Sequence, residues 1–382
     1  MLGKRAFLDK LTAMRPMQSL TLKGTSFEGS SPPSVFIGQA NYPKVFAGPM
    51  MAQQPESFSY DAPEHWLGTY DRDAIINFRL QLLRGMKAVP VNAVGNRFAQ
   101  QLQEIALSKH SLLAHAEFDK IPRGVSFSED HQPFGPSAAL KQLETENAKW
   151  QKDMQKAHYD TDLKAGEAVL ELVNKGLEFT PVQKALSTGA FGLAKNRKLV
   201  PTRWSITATD DILGKHSMKD VRQNDIIKDY RVYESNGLNN YYAVMLTPSQ
   251  WQYEAIEAFI NLMDQKTFSF SDYESYFGRK QYSEMGGCYY AQRQIVSEHL
   301  SQQGEQAGAF VFREVTPGYV PTGVWVCREL TKKALTETPK TFKTRSEALH
   351  YIDSKMQLGM KYHQDHMQLI NSTVKQKTLV DF

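Results

Sequence analysis

Cysteine is nearly missing: Cys288 and Cys327 are the two in 382 residues. A pair of thiols is too few for a zinc site built from thiolates. In a reducing compartment they are expected as buried free thiols rather than as a disulfide. Long apolar runs are missing too. Nothing approaches the length of a membrane span, and residues 1–20 lack the apolar core of a signal peptide, so a cytoplasmic chain without a membrane partner is expected. No P-loop, dinucleotide fingerprint or nucleophile motif occurs, and so no reaction can be named from a motif. A large excess of charge of one sign is missing as well. The net charge is +4, so a nucleic-acid site would have to be a local patch rather than a global field.

What is present belongs to an ordinary globular protein, with 41% hydrophobic and 23% charged residues. The densest chemistry lies between Asn196 and Asp211, N-R-K-L-V-P-T-R-W-S-I-T-A-T-D-D. Arg197, Lys198 and Arg203 surround a proline and can converge on one anion from a turn. Trp204-Ser205-Ile206-Thr207 alternates apolar and polar and predicts a short strand. That strand would deliver Asp210 and Asp211 to its end, where open sheets place ligand groups. An Arg–Asp network that merely braces a loop accounts for the same residues.

This stretch resembles the core signature of the archaeal Nre family of DNA repair proteins. Further blocks carry the resemblance across most of the chain: Ser31-Pro32-Pro33-Ser34-Val35-Phe36-Ile37-Gly38, Tyr42-Pro43-Lys44-Val45 with Gly48-Pro49, and Gln132-Pro133 with Gly135-Pro136-Ser137. Gly287-Cys288-Tyr289-Tyr290-Ala291-Gln292-Arg293 is similar to a Gly-Gly-Tyr-Tyr-Ala-Ala-Arg motif, departing at Cys288 and Gln292. The resemblance implies a DNA repair factor that binds DNA or a nucleotide. Many relatives carry a cysteine-rich N-terminal zinc finger; here no cysteine precedes Cys288, so none is expected.

Taken in order, residues 1–30 read as a partly ordered segment, 31–370 as a mixed α+β body with a sub-boundary near 180–195, and 371–382 as a flexible tail. The body is expected as one large or two closely associated domains, a mixed sheet flanked by helices. Residues 34–38 and 44–48 read as paired strands, with Lys44 able to touch phosphate. Helices are expected at 71–84 and 96–107. Ser137 is placed as the N-cap of a long helix over 138–158. Pro248 is taken to open a helix through Met263. Strands are expected at 231–233 and 241–246 around an Asn-Gly turn, and helices at 218–229 and from Tyr289, the latter carrying Arg293. Residues 309–314 and 323–329 read as two paired strands, each ending in Arg-Glu: Arg313-Glu314 and Arg328-Glu329. Beside Asp210 and Asp211 they would form a polar pocket, or a ring of ion pairs that fixes strand order. A last helix is expected over 347–370, with His350, His363 and His366 solvated rather than ligating a metal.

The chain closes on Gln376-Lys377-Thr378-Leu379-Val380-Asp381-Phe382. Gln376, Leu379 and Phe382 stand three apart, so one tight turn puts them on one side. The pattern resembles the peptide by which DNA-processing proteins dock on the sliding clamp PCNA, and Nre relatives commonly carry such a tail. Three function classes follow. The first is a clamp-tethered DNA repair factor. The second is a nuclease or nucleotide hydrolase using Mg²⁺ or Mn²⁺, with Asp210, Asp211, Glu314 or Glu329 as ligands and Arg203 as electrophilic support. The third is an adaptor without a pocket.

Overall fold

In a computed structural model, residues 19–262, 267–363 and 366–370 are described. By internal contacts they fall into two compact units, and the chain is mixed α+β in both. The first comprises the described part of Thr12–Ile212 together with Pro321–Trp325; the second comprises Leu213–Val320 and the described part of Val326–Phe382.

The first unit opens with β1 (Ser26–Ser31), β2 (Val35–Ile37) and β3 (Lys44–Met51). β2 and β3 pair antiparallel, as their alternation predicts, with Asn41 at φ 63° in the turn between them. After α1 (Arg72–Leu80) come β4 (Leu83–Pro90), α2 (Arg97–Leu107), β5 (Leu112–Phe118) and β6 (Ser137–Thr145). The six strands form one mixed sheet in the order β1-β5-β6-β4-β3-β2, with β4 and β6 as the parallel pair. α2 packs an apolar face of Leu102, Ile105 and Ala106 against Val45, Val89 and Leu112, and its N-cap Asn96 accepts from the Ala99 amide at 2.7 Å. Three helices follow, α3 (Lys152–Tyr159), α4 (Ala165–Asn174) and α5 (Phe179–Ser187), before α6 (Thr202–Val221), within which the chain passes into the second unit.

The second unit is built on β7 (Asp225–Ile226), β8 (Tyr230–Gly237), β9 (Asn240–Thr247), β10 (Gln252–Phe259) and β11 (Phe268–Glu274). Then come α7 (Gly287–Gln303), β12 (Glu305–Gln306), β13 (Gly308–Val315), α8 (Trp325–Thr336), β14 (Lys340–Phe342), α9 (Arg345–Lys355) and α10 (Met360–His363). The large sheet runs β11-β10-β13-β9-β8-β14, with β10 and β13 parallel and every other neighbour antiparallel. β7 and β12 form a separate two-stranded ribbon.

Several expected elements are of the other type. The strand expected at 204–207 lies inside α6: Pro201 stands at the mouth of that helix, its carbonyl accepting from the Trp204 and Ser205 amides at 2.8 and 2.9 Å. There the missing proline N–H costs nothing. The helix expected at 138–158 forms only at its end, as α3; residues 137–145 are β6 instead, where Ala138 and Leu140 face the core and pairing with β5 and β4 overrides local propensity. Ser137 therefore begins a strand and caps nothing. The helix expected after Pro248 is β10, buried on both faces and so without a readable alternation. Residues 323–329 enter α8, and β13 lies between β10 and β9 rather than beside 323–329. The helix expected over 347–370 breaks after Lys355 and resumes only as the short α10, where His363 is fully buried rather than solvated. Both cysteines are buried free thiols, as expected.

Candidate nucleic-acid interface

The central stretch splits into two loci within the first unit. The first is the loop that leads into it. Gly189 and Gly192 take φ of 67° and 110°, which turns their carbonyls inward without the penalty a side chain would bring. Arg197 is committed to that loop. Its Nε donates to the Gly192 carbonyl at 2.8 Å, and its Nη2 donates to the His158 and Asp160 carbonyls at 2.7 and 2.9 Å. Desolvation lowers its pKa, opposed by Asp160. Lys198 is exposed, while the next residue, Leu199, is buried in the sheet core. Cavities of ≈ 340 Å³ and ≈ 420 Å³ flank Arg197, which lines both.

The second locus is the mouth of α6. Thr202 Oγ1 accepts from the Ile37 amide at 2.9 Å, joining the helix start to β2. Ser205 Oγ accepts from Gln183 Nε2 at 2.6 Å, and Thr209 Oγ1 returns to the Ser205 carbonyl at 2.8 Å. This hydroxyl-lined face is the buried one. Arg203 and Trp204 point the other way. Arg203 Nε lies 3.2 Å from Asp130 Oδ2. Trp204 is 44% exposed, and its ring packs on that of Tyr42, 50% exposed, with centroids 5.1 Å apart. Tyr42 belongs to the β2–β3 turn, two residues before the exposed Lys44. Arg197, Lys198 and Arg203 thus have separate surroundings and share no partner.

Beside this mouth lies a cation–ring stack that the sequence did not disclose. The Arg84 guanidinium sits over Phe36 at 4.3 Å and Phe134 at 5.5 Å, donates from Nη2 to the Phe46 carbonyl at 2.8 Å, and leaves its buried Nε without a partner. Desolvation brings its pKa down to about 10. The His131 ring meets Phe36 edge-on at 4.8 Å. Desolvation, with Arg84, Arg79 and Arg203 nearby, pushes its pKa down to about 4 against the Gln132 carbonyl, which favours the proton. Deeper in the unit, Asp61 binds Arg79, Lys184 and the Ser34 hydroxyl. Desolvation pushes the Asp61 carboxyl upward, but Arg79 and Lys184 outweigh it and hold the group below its usual range. This knot explains why Ser34 and its neighbours in the Ser-Pro-Pro-Ser block are buried. It is a core fixture.

The charged residues expected at the ends of strands are mostly core as well. Asp210 is fully buried, and Asp211 follows it on the same helix about 100° round, so the two do not share a strand end. In the second unit, Arg313 Nη1 lies 3.1 Å from Glu257 Oε1 and 3.9 Å from Cys288 Sγ, and its Nε donates to Asn240 at 2.8 Å. Glu257, Cys288 and Cys327 bring three donor atoms within 4.8 Å of one another, but the Arg313 guanidinium already occupies the place a cation would take beside two of them. Glu314 accepts from the Gln357 and Leu358 amides at 2.6 and 3.0 Å, which makes it a cap for the chain after α9. Arg293 pairs with Glu274 at 2.9 Å inside the core. Arg328 is buried on α8, with Glu329 half-buried beside it. Gln376, Leu379 and Phe382 lie outside the described residues.

The sequence model described as "Archaeal Nre, N-terminal" matches residues 2–263, and "Archaeal Nre, C-terminal" matches 274–382. The chain belongs to the archaeal Nre family. Among curated proteins, the Nre chain is 34% identical over 390 residues to "DNA repair protein NreB" of Archaeoglobus fulgidus, covering 100% of this chain and 97% of that one. It is 33% identical to "DNA repair protein NreA" of the same organism, over 84% of this chain and 82% of that one. It is 31% identical to "DNA repair protein NreA" of Haloferax volcanii, over 86% and 82%. No solved structure matches this Nre chain. No helix among its described residues is long and apolar enough to cross a membrane.

Proposed function

We propose that this Nre chain is a DNA repair factor that holds a DNA strand on its first unit and docks on the PCNA sliding clamp through Gln376, Leu379 and Phe382. One observation carries the DNA-binding half: the solvent-exposed Tyr42–Trp204 ring pair beside Arg203, with Lys44 exposed two residues from Tyr42. Two large rings left in water cost about as much as burying them would gain, so their exposure at one spot supports a stacking platform. Nucleobases stack on such rings whatever their sequence, while the nearby cations meet phosphate. No reaction is proposed, because Asp210 and Glu314 lie in the core and Glu314 is satisfied by backbone amides.

The test is binding of a fluorescent single strand to the full chain across a salt series. About two or three phosphate contacts set the expected slope, near −2 in log–log terms. Trp204→Ala is expected to weaken binding by about 1–3 kcal/mol with little change in melting temperature, since the ring is exposed. Salt-independent affinity, or a Trp204→Ala variant that binds as well as the parent, would refute the platform and favour an adaptor.

A further inference from the structure

The ≈ 420 Å³ cavity on the Trp150 side of Arg197 has a lining that selects a ligand. Its volume falls within the range of about 300–1,000 Å³ typical of small-molecule sites. Gln100 and Glu104 stand four apart on α2, hence on one face, and that face is the exposed one; Ala99, Leu102 and Ile105 take the core side. Neither side chain has a hydrogen-bond or ion-pair partner among the described residues, so the Glu104 carboxylate enters the cavity as a free acceptor. Two aromatic rings also line it, Trp150 and His158, 5.0 Å apart, and the 67% exposed Tyr159 backs Trp150 at 6.0 Å from outside the lining. His158 Nδ1 gives its proton to the Ala190 carbonyl at 2.7 Å, and desolvation lowers its pKa, so the ring is neutral and adds no positive charge.

The lining combines the free Glu104 carboxylate with the Arg197 guanidinium, already bonded to three backbone carbonyls, and suits a flat ring with hydrogen-bond donors on one edge. An ionised carboxylate offers two parallel acceptors. Among the four DNA bases, guanine alone places two adjacent donors, N1–H and N2–H, to meet both, and the Gln100 amide can donate to its O6. Adenine, cytosine and thymine each lack that pair. On the far side of Arg197, Lys198 and Lys164 line the ≈ 340 Å³ cavity, where a flanking phosphate would meet positive charge.

We propose that the cavity between Trp150 and the Gln100–Glu104 face of α2 is a base-reading pocket that takes an unpaired guanine from the bound strand. The inference rests on the strand-binding reading above and gives it a preference for one base. Reading an unstacked base by its Watson–Crick edge between aromatic walls is a general solution for proteins that handle extruded bases.

The experiment compares an all-dT strand with the same strand carrying one central dG, using the full chain, and adds free dGMP and dAMP by calorimetry. The dG strand is expected to bind about tenfold more tightly than the all-dT strand. Glu104→Gln should bring it down to the all-dT value, and Trp204→Ala should weaken both strands by the same factor. Equal affinity of the two strands, or a preference that survives Glu104→Gln, overturns the pocket while leaving the platform standing. If free dGMP binds in a Glu104-dependent way and neither strand binds, the pocket stands and the strand reading falls. Absence of binding by all four ligands overturns both. Trp150→Leu provides a second variant, and a retained dG preference in it also counts against the pocket.

Discussion

At the scale of the residue, the informative charges are those whose partners come from far along the chain. His131 shows why. Its sequence neighbourhood reads as a loop, yet Phe36 from β2 and Phe134 flank its ring, and Arg84 from β4 adds positive charge. Its pKa of about 4 in the folded state compares with about 6.5 in an unfolded chain. Between those values the unfolded state binds a proton that the folded state does not, so stability rises with pH across that window. The cost is absent above pH 6.5 and grows as pH falls toward 4, to at most about 3 kcal/mol, because one pKa unit is about 1.4 kcal/mol. Urea unfolding at pH 4.5 and at pH 7.5 is expected to differ by less in His131→Asn than in the parent. An unchanged difference would show that His131 is not held neutral. Phe36 and Arg84, both more than forty residues away in the chain, are not announced by the sequence around His131. Arg203 is the opposite case: its sequence left an anion site and an Arg–Asp brace equally open, and the structure sets it half-buried against Asp130.

At the scale of the element, glycines separate close packing from open surface. Gly214 lies in α6 where a β-carbon would stand 3.3 Å from Gln294 Cα on α7, and backbone there cannot yield. Gly214→Val is therefore expected to cost about 1–3 kcal/mol by overpacking, despite the gain in helix propensity. Gly166, in the first turn of α4, would meet nothing nearer than Ile212 Cδ1 at 4.0 Å. Gly166→Ala should stabilise by a few tenths to about 1 kcal/mol. The comparison is a pair of denaturation midpoints, and equal shifts would mean the two helices do not approach as described. Elements with one solvated face were legible: α2 shows its apolar spacing, and β2–β3 shows its alternation and turn. β10 and β6 were not. A strand buried on both faces carries no period, and a polar strand between two others depends on neighbours distant in sequence.

For the molecule as a whole, the tail and the body are expected to act separately. Removing residues 376–382 should abolish capture by purified PCNA and leave the melting temperature of the body unchanged, since terminal segments contribute little to a core. Burying Leu379 and Phe382 in the clamp would contribute about 3–5 kcal/mol before ordering costs, far short of the roughly 12 kcal/mol of nanomolar binding. A pull-down that survives the deletion would place the contact in the body. Both units carry a six-stranded mixed sheet, and the Asp210–Asp211 and Arg-Glu charges that the sequence reading set in one pocket fall in different units. Arg313, Glu314 and Arg293 sit in the core of the second unit, while Arg203 and Lys198 stand at the edge of the first.

The sequence by itself determined the family, through ordered motifs. It also determined the mixed α+β class and the free thiols, because each of these depends on composition or on residues close together in the chain. Only the tertiary structure decided that Trp204 opens a helix rather than a strand and that the Arg-Glu pair of β13 is a core fixture. It also decided that Gln100, Glu104, Trp150 and His158 wall one cavity. A charged side chain looks the same in sequence whether it meets water, a carboxylate or a ligand. What separates these outcomes is desolvation, and desolvation is set by neighbours that the chain brings together only when it folds.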